Sequence, residues 1–221
     1  MKLHILSLAA VALGLTACSS EDTIGQDFLA DTPINLNVSV DDPMTRAGYS
    51  STALPEDFTL SVDHSENPGD KYNYSVYAQK EGNGWKTFNL DDSGHKTDEE
   101  ITMLWANMTD KVSVLATNSC WPQEDQSTEE KLKASDKLFM PRTQVSPSSA
   151  GISVAFQHTM SKINLTIELG NEYEFTEDVS QKITNVRIDG SLLGAAFDHS
   201  TGEGFDPFGD PASIATLLTG T

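Results

Sequence analysis

GISVAFQHTMSKINLTIEL (residues 151–169) decides the fold class. Ile152, Val154, Phe156, His158 and Met160 occupy one parity, and Ile163, Leu165, Ile167 and Leu169 occupy the other. Apolar residues at a period of two mark a strand with one face on a core, because successive side chains of an extended chain point to opposite sides. A strand cannot switch parity without an inserted residue or a bend. The pattern therefore predicts two strand segments joined by a bulge or corner at Thr159–Lys162. His158 shares the parity of the apolar residues before it and reads as a structural histidine, hydrogen-bonded near that corner. A ligand or catalytic role would want a second His, a Cys or a paired carboxylate at ligand spacing, and the sequence offers none.

The same period runs upstream. INLNVSV (34–40) puts Ile34, Leu36, Val38 and Val40 on one face and Asn35, Asn37 and Ser39 on the other. FTLSV (58–62), YNYSVYA (72–78), WKTFNL (85–90), ITMLW (101–105) and KVSVLAT (111–117) come next as strands, separated by Gly, Asn, Asp and Pro segments such as SENPGD and LDDSG, in which Asp91 and Asp92 read as a turn. One stretch, STEEKLKASDKL (127–138), reads as a helix, with Ser127 and Glu130 at capping-box spacing and Leu132 one turn in. Many short strands at this spacing predict an all-β sandwich or barrel rather than alternating β/α units. Beyond Gly170, EYEFTEDVSQK reads as an acidic linker, and ITNVRIDGSLLGAAFDHSTGEG as a fresh hairpin with Gly190 near its turn. The expected division is a tether over 18–33, a β-sandwich domain over 34–170, and the start of a second, incomplete β domain over 171–221, since the residues after Gly170 are too few for a second sandwich.

MKLHILSLAAVALGLTAC opens with Lys2 and an apolar run from Ile5 to Leu15. That run is shorter than the ~20 apolar residues a membrane-crossing helix needs and has the shape of an export signal. Leu15-Thr16-Ala17-Cys18 resembles the bacterial lipobox, which implies a signal peptide over 1–17, a lipid (palmitate among its acyl chains) on Cys18, and attachment to the outer membrane through it. Cys120 is then the remaining thiol, so no intramolecular disulfide is available and the core must hold the fold. Losing residues 1–17 removes one lysine, leaving 13 basic against 33 acidic residues, a net charge of −20. Such a surface argues against nucleic acid and against anionic membrane surfaces as partners.

No G-x-S-x-G, H-E-x-x-H or Gly-rich phosphate loop is present, and the carboxylates of DHSTGEG (198–204) lack the spacing of an EF-hand loop. The reading is a non-enzyme without metal or cofactor. Trp85, Trp105 and Trp121 leave a second function open: a glycan-binding platform, as against three core residues, the two being separated by whether the rings share an exposed face.

DDPMTRAG (41–48) places Arg46, one of only three arginines, directly after the first strand. A lipobox cysteine, an acidic tether beginning SSED, one alternating strand, TRA, the segment SDKLFM (135–140) and VAFQHTMSKINLTI, in that order, resemble the fimbrillin family of Bacteroidetes, subunits of cell-surface fimbriae. The resemblance spans roughly residues 1–200, and its F-x-H-x-M-S-K-I pattern falls on Phe156–Ile163. It implies transthyretin-like β-sandwich domains, other fimbrial subunits as partners, a host or glycan ligand in some members, and cleavage after an arginine here, between Arg46 and Ala47. Removal of the 34–46 segment would then take Ile34, Leu36, Val38 and Val40 with it and leave an edge for a strand from another subunit.

Overall fold

Alternation became strand almost everywhere it was strict. The computed structural model describes residues 30–41, 48–160, 163, 165–167, 183–198 and 204–218. In them the chain forms β1 (Leu36–Val40), β2 (Asp57–Asp63), β3 (Tyr74–Glu81), β4 (Gly84–Leu90), β5 (Lys96–Glu100), β6 (Val112–Thr117), α1 (Glu129–Ala134), β7 (Leu138–Val145), β8 (Ile152–His158), β9 (Arg187–Ser191), β10 (Gly194–Phe197), β11 (Gly204–Phe208) and β12 (Ala212–Ala215). The fold is all-β, with β1–β8 in one sheet of order β1-β8-β7-β6-β2-β3-β4-β5.

The apolar rows are in register across the ladders. Leu60 stands opposite Val76 on β3 and Ala116 on β6, and Val62 opposite Tyr74 and Val114. These side chains line one face, and that face is the core. The sheet curls to cover it. β8 pairs with β7 only at His158–Leu138 and Gln157–Phe139, while its residues 152–156 pair with β1. Phe156 of β8 consequently reaches across to Phe58 of β2, ring centroids 5.2 Å apart and edge-on, and Phe58 meets Trp85 of β4 at 4.8 Å. Three strands, no two of them neighbours in the sheet, thus share one aromatic cluster.

Four expectations need correction. ITMLW is not a ladder strand: Met103 and Trp105 are buried and Leu104 makes an isolated bridge to Pro33, so its apolar pattern reports burial. The strand on the β4 edge is instead Lys96–Glu100, whose charges suit an edge facing water. The helix starts one residue later than expected, with Thr128 as its cap accepting from the Lys131 backbone N–H, because Ser127 turns back to donate to Asp125. Gly190 does not turn a β9–β10 hairpin; β9 pairs with β12 and β10 with β11. Finally, β8 ends at His158 as the parity switch requires, but Ile163, Leu165 and Ile167 are exposed and in no strand, because alternation makes a strand only where a partner ladder is present.

Candidate functional site: the first strand and the chain after it

The segment before and through β1 is bonded to both ends of the curled sheet. β1 lies parallel to β8, with Leu36, Val38 and Val40 opposite Ile152, Val154 and Phe156. The Asp41 N–H extends this ladder to the Phe156 carbonyl at 2.8 Å. Immediately upstream, the chain pairs with the segment that leaves β5: Asp31 N–H to Trp105 O, Trp105 N–H to Thr32 O, and Ile34 N–H to Met103 O, at 2.9, 2.9 and 2.8 Å. Tyr72 Oη donates to Asp31 at 2.9 Å, and Tyr74 Oη accepts from the Leu104 N–H at 3.0 Å, so β3 and its approach brace the same junction. Residues 31–41 are thus the piece that joins the β5 end of the sheet to the β8 end.

Its side chains fill the core as the alternation predicts. Ile34 and Val40 are buried, and Leu36 and Val38 are half-buried and packed against the core cluster. Burying an aliphatic side chain fully contributes about 1.5–3 kcal/mol, so these four together are worth roughly 4–8 kcal/mol as an upper estimate. Backbone packing is equally close at the start of the β1–β8 ladder. Gly151 has φ +88°, and a Cβ there would stand 2.1 Å from the Asn35 carbonyl oxygen, which accepts from the Ile152 N–H. A side chain must therefore push β1 off β8. Gly151→Ala is expected to cost about 1–3 kcal/mol in chemical denaturation. Amide exchange should accelerate in β1 and β8 before it does in β2, β3 or β6; uniform acceleration would contradict this account.

A second cluster receives the chain on the far side of Arg46. The Tyr49 N–H donates to Asp136 Oδ2 at 3.0 Å. The other oxygen of that carboxylate accepts from His158 Nδ1 at 2.8 Å, with the histidine side chain only 2 % exposed. Gly48, at φ +146°, makes this possible: a Cβ at that position would fall 2.3 Å from Asp136 Oδ2. Tyr49 packs on the core, and its hydroxyl lies 3.7 Å from Cys120 Sγ. Burial pushes both the Tyr49 phenol and the Cys120 thiol upward, which disfavours the thiolate a nucleophile would need. Asn118, buried, ties the base of the cluster together: its amide donates to the Asp136 carbonyl at 2.8 Å and accepts from the Leu138 N–H at 2.9 Å. Lys137 runs beneath it, its Nζ donating to the Asn118 carbonyl and standing 4.7 Å from the centre of the Trp121 ring.

His158 is therefore a structural histidine at the corner, bonded to a residue 22 positions upstream. Leu36, Val38 and Val40 come together on β1, which starts two residues later than expected, and Ile34 is buried in the segment leading into it; Cys18, Arg46 and Ala47 lie outside the described residues. The tryptophans do not form a platform: Trp105 is buried, Trp85 packs against the core, and Trp121 alone is exposed. Sequence reading missed Gly48, Tyr49, Asn118 and Gly151, whose roles depend on contacts across long chain separations. The only signal near them was Asp136 in SDKLFM.

The fold is thus an all-β sheet in which the segment through β1 is bonded to β8 on one side and to residues 103–105 on the other. The fimbrillin-like family model matches residues 87–215, more than half of the chain, and the chain belongs to that family. This is a structural, non-enzymatic family of fimbrial subunits at the cell surface. The matched region includes Asp136 and His158 and begins after β1. No curated protein and no solved structure matches the chain.

Proposed function

We propose that the chain is a structural or adhesive subunit of cell-surface fimbriae, exported as a lipoprotein on Cys18 and assembled by β-strand addition after cleavage between Arg46 and Ala47. The observation that carries this reading is the placement of residues 31–41. They bond to β8 on one side and to residues 103–105 on the other, and they end just upstream of Arg46. One cut separates that whole segment from the body. Over residues 152–156 β8 is paired with β1, so departure of β1 frees the ladder groups there together with the pockets of Ile34 and Val40. A strand from another subunit with apolar side chains at alternate positions restores both: backbone pairing gives affinity and the pockets give specificity. Arg142 and Arg187 stand in the ladders of β7 and β9, and Arg142 is held by Asp63 and Ser113, so a protease reaching either would have to open the sheet.

The same cut separates the body from a lipid on Cys18. Release suits a shaft subunit, with the lipid serving delivery to the surface; an anchor subunit would stay uncut. Treatment of the full chain with an arginine-specific protease should yield a new N-terminus at Ala47, and the trimmed protein should rebind a peptide spanning 30–46. Arg46→Ala should block the cut. Failure of the trimmed protein both to rebind that peptide and to assemble with co-expressed subunits sinks the strand-addition reading.

A further inference from the structure

Strand release poses a mechanical difficulty. A segment of about ten residues must leave a packed core while the residues immediately downstream remain in place; otherwise the new N-terminus peels away and the groove loses its wall. Something must mark where the departing chain ends and the retained chain begins. Downstream of Arg46, Gly48–Tyr49 is bonded to the body. The contact is specific. One carboxylate oxygen of Asp136 takes the Tyr49 backbone N–H, the other takes His158 Nδ1, and Asp136 and His158 side chains are 10 % and 2 % exposed. A carboxylate that accepts from a ring held in the core cannot swing to follow a departing chain, and it carries two charge-assisted or directional bonds at once. Gly48 supplies the space, since any Cβ would strike Asp136 Oδ2. Downstream, the Ser50 and Ala53 backbones exchange hydrogen bonds at 3.1 Å and Leu54 packs against the core, so the anchored stretch is continuous into β2.

We propose that Asp136, fixed by His158, is a positioning residue that clamps the chain at Gly48–Tyr49 and retains it on the body when the segment upstream is released. The release itself rests on the strand-addition reading above. The clamp acts on backbone, so it places no demand on the Tyr49 side chain. It requires glycine at position 48 and makes Asp136 the residue that sets the boundary.

The test is amide exchange of Tyr49, read by mass spectrometry on the full chain before and after arginine-specific cleavage. In the intact wild type the Tyr49 amide should exchange at least ~10-fold more slowly than in Asp136→Ala, the scale of a lost ~1.4 kcal/mol hydrogen bond. Asp136→Leu keeps the bulk of the side chain but offers no acceptor to the Tyr49 N–H or to His158 Nδ1, so it should expose Tyr49 as Asp136→Ala does, which a merely space-filling role for Asp136 would not predict. Gly48→Ala keeps the Asp136 and His158 side chains but sets a Cβ against Asp136 Oδ2, so it should reproduce the Asp136→Ala result, keeping the test valid if Asp136→Ala folds poorly. In the trimmed wild type, protection at Tyr49 should persist and in trimmed Gly48→Ala it should vanish. Equal exchange in wild type and both variants, or loss of Tyr49 protection on trimming the wild type, overturns the clamp even if the 30–46 peptide rebinds. Persistent Tyr49 protection with no peptide rebinding leaves the clamp standing and sinks strand addition instead. An Arg46 bond that resists the protease removes the retention role along with the maturation reading, and the intact-chain comparison then reports the hydrogen bond alone.

Discussion

Phe58→Ala should lower the unfolding free energy of the intact chain by about 3–5 kcal/mol, the range for removing a large aromatic side chain from a packed interior. Phe58 has no measurable exposure, and its ring contacts Trp85 of β4 and Phe156 of β8 edge-on. Those two strands do not pair with β2, so the ring is a tie across the curl of the sheet rather than along a ladder. Its loss opens a cavity whose walls cannot collapse without moving β8, and β8 is the strand that carries β1. The variant should therefore also raise amide exchange in β1. Equilibrium denaturation of Phe58→Ala, Phe156→Ala and the double variant should give a coupling of about 0.5–1.5 kcal/mol beyond additivity, as edge-on aromatic pairs do. Additive losses would mean the rings only fill space.

The part of the fold that was legible in the sequence is the part fixed by alternation. Phe58, Leu60 and Val62, or Ile152, Val154 and Phe156, specify which face is buried without reference to any partner, and all six are in the core. Pairing was not legible. The parallel match of β1 with β8 joins residues more than 100 positions apart, and both a parallel and an antiparallel arrangement would have put Leu36 and Val38 on the same face. Nor could alternation say that Met103 and Trp105 are buried by packing outside a ladder, or that Ile163, Leu165 and Ile167 are exposed and outside any strand. Acidic Lys96–Glu100 shows the converse: it is a strand because it completes an edge next to β4, where a charged sequence is compatible with solvent. At the candidate site, the four aliphatic residues in and just before β1 were readable and the clamp was not. Asp136, Gly48 and His158 have no shared spacing; the fold alone brings them together.

Lys137→Met should stabilise the chain at pH 6.5 by about 2–3 kcal/mol, an advantage that shrinks below ~1 kcal/mol by pH 10. Lys137 is 5 % exposed and has no carboxylate partner among the described residues: the neighbouring Asp136 is committed to Tyr49 and His158. Burial pushes its ammonium down to about 8, with the nearby Cys120 opposing the shift more weakly. The sign is set by proton uptake. A lysine that holds its proton less tightly when folded makes the unfolded chain bind more protons between pH 8 and the ordinary lysine value, so stability rises with pH through that window and the cost is fully present below pH 8. Methionine keeps the unbranched stem and removes the charge, and buried charges replaced by apolar groups of similar shape are commonly neutral or stabilising. The Asn118 carbonyl that Lys137 serves stays within reach of the Thr117 hydroxyl at 3.3 Å, a donor it shares with the Leu138 carbonyl at 3.2 Å. The Tyr49 phenol and Cys120 thiol are also raised, which favours the unfolded chain at alkaline pH, but both groups are present in variant and wild type. The Lys137 charge also pulls the Cys120 thiol downward, so the difference between the two proteins reports Lys137 alone at pH 6.5 and includes the coupled thiol at pH 10. Denaturant titrations at pH 6.5, 8 and 10 measure it, and a difference that stays constant across the three, or a variant less stable at pH 6.5, would show that the ammonium is favourably placed over the Trp121 ring after all.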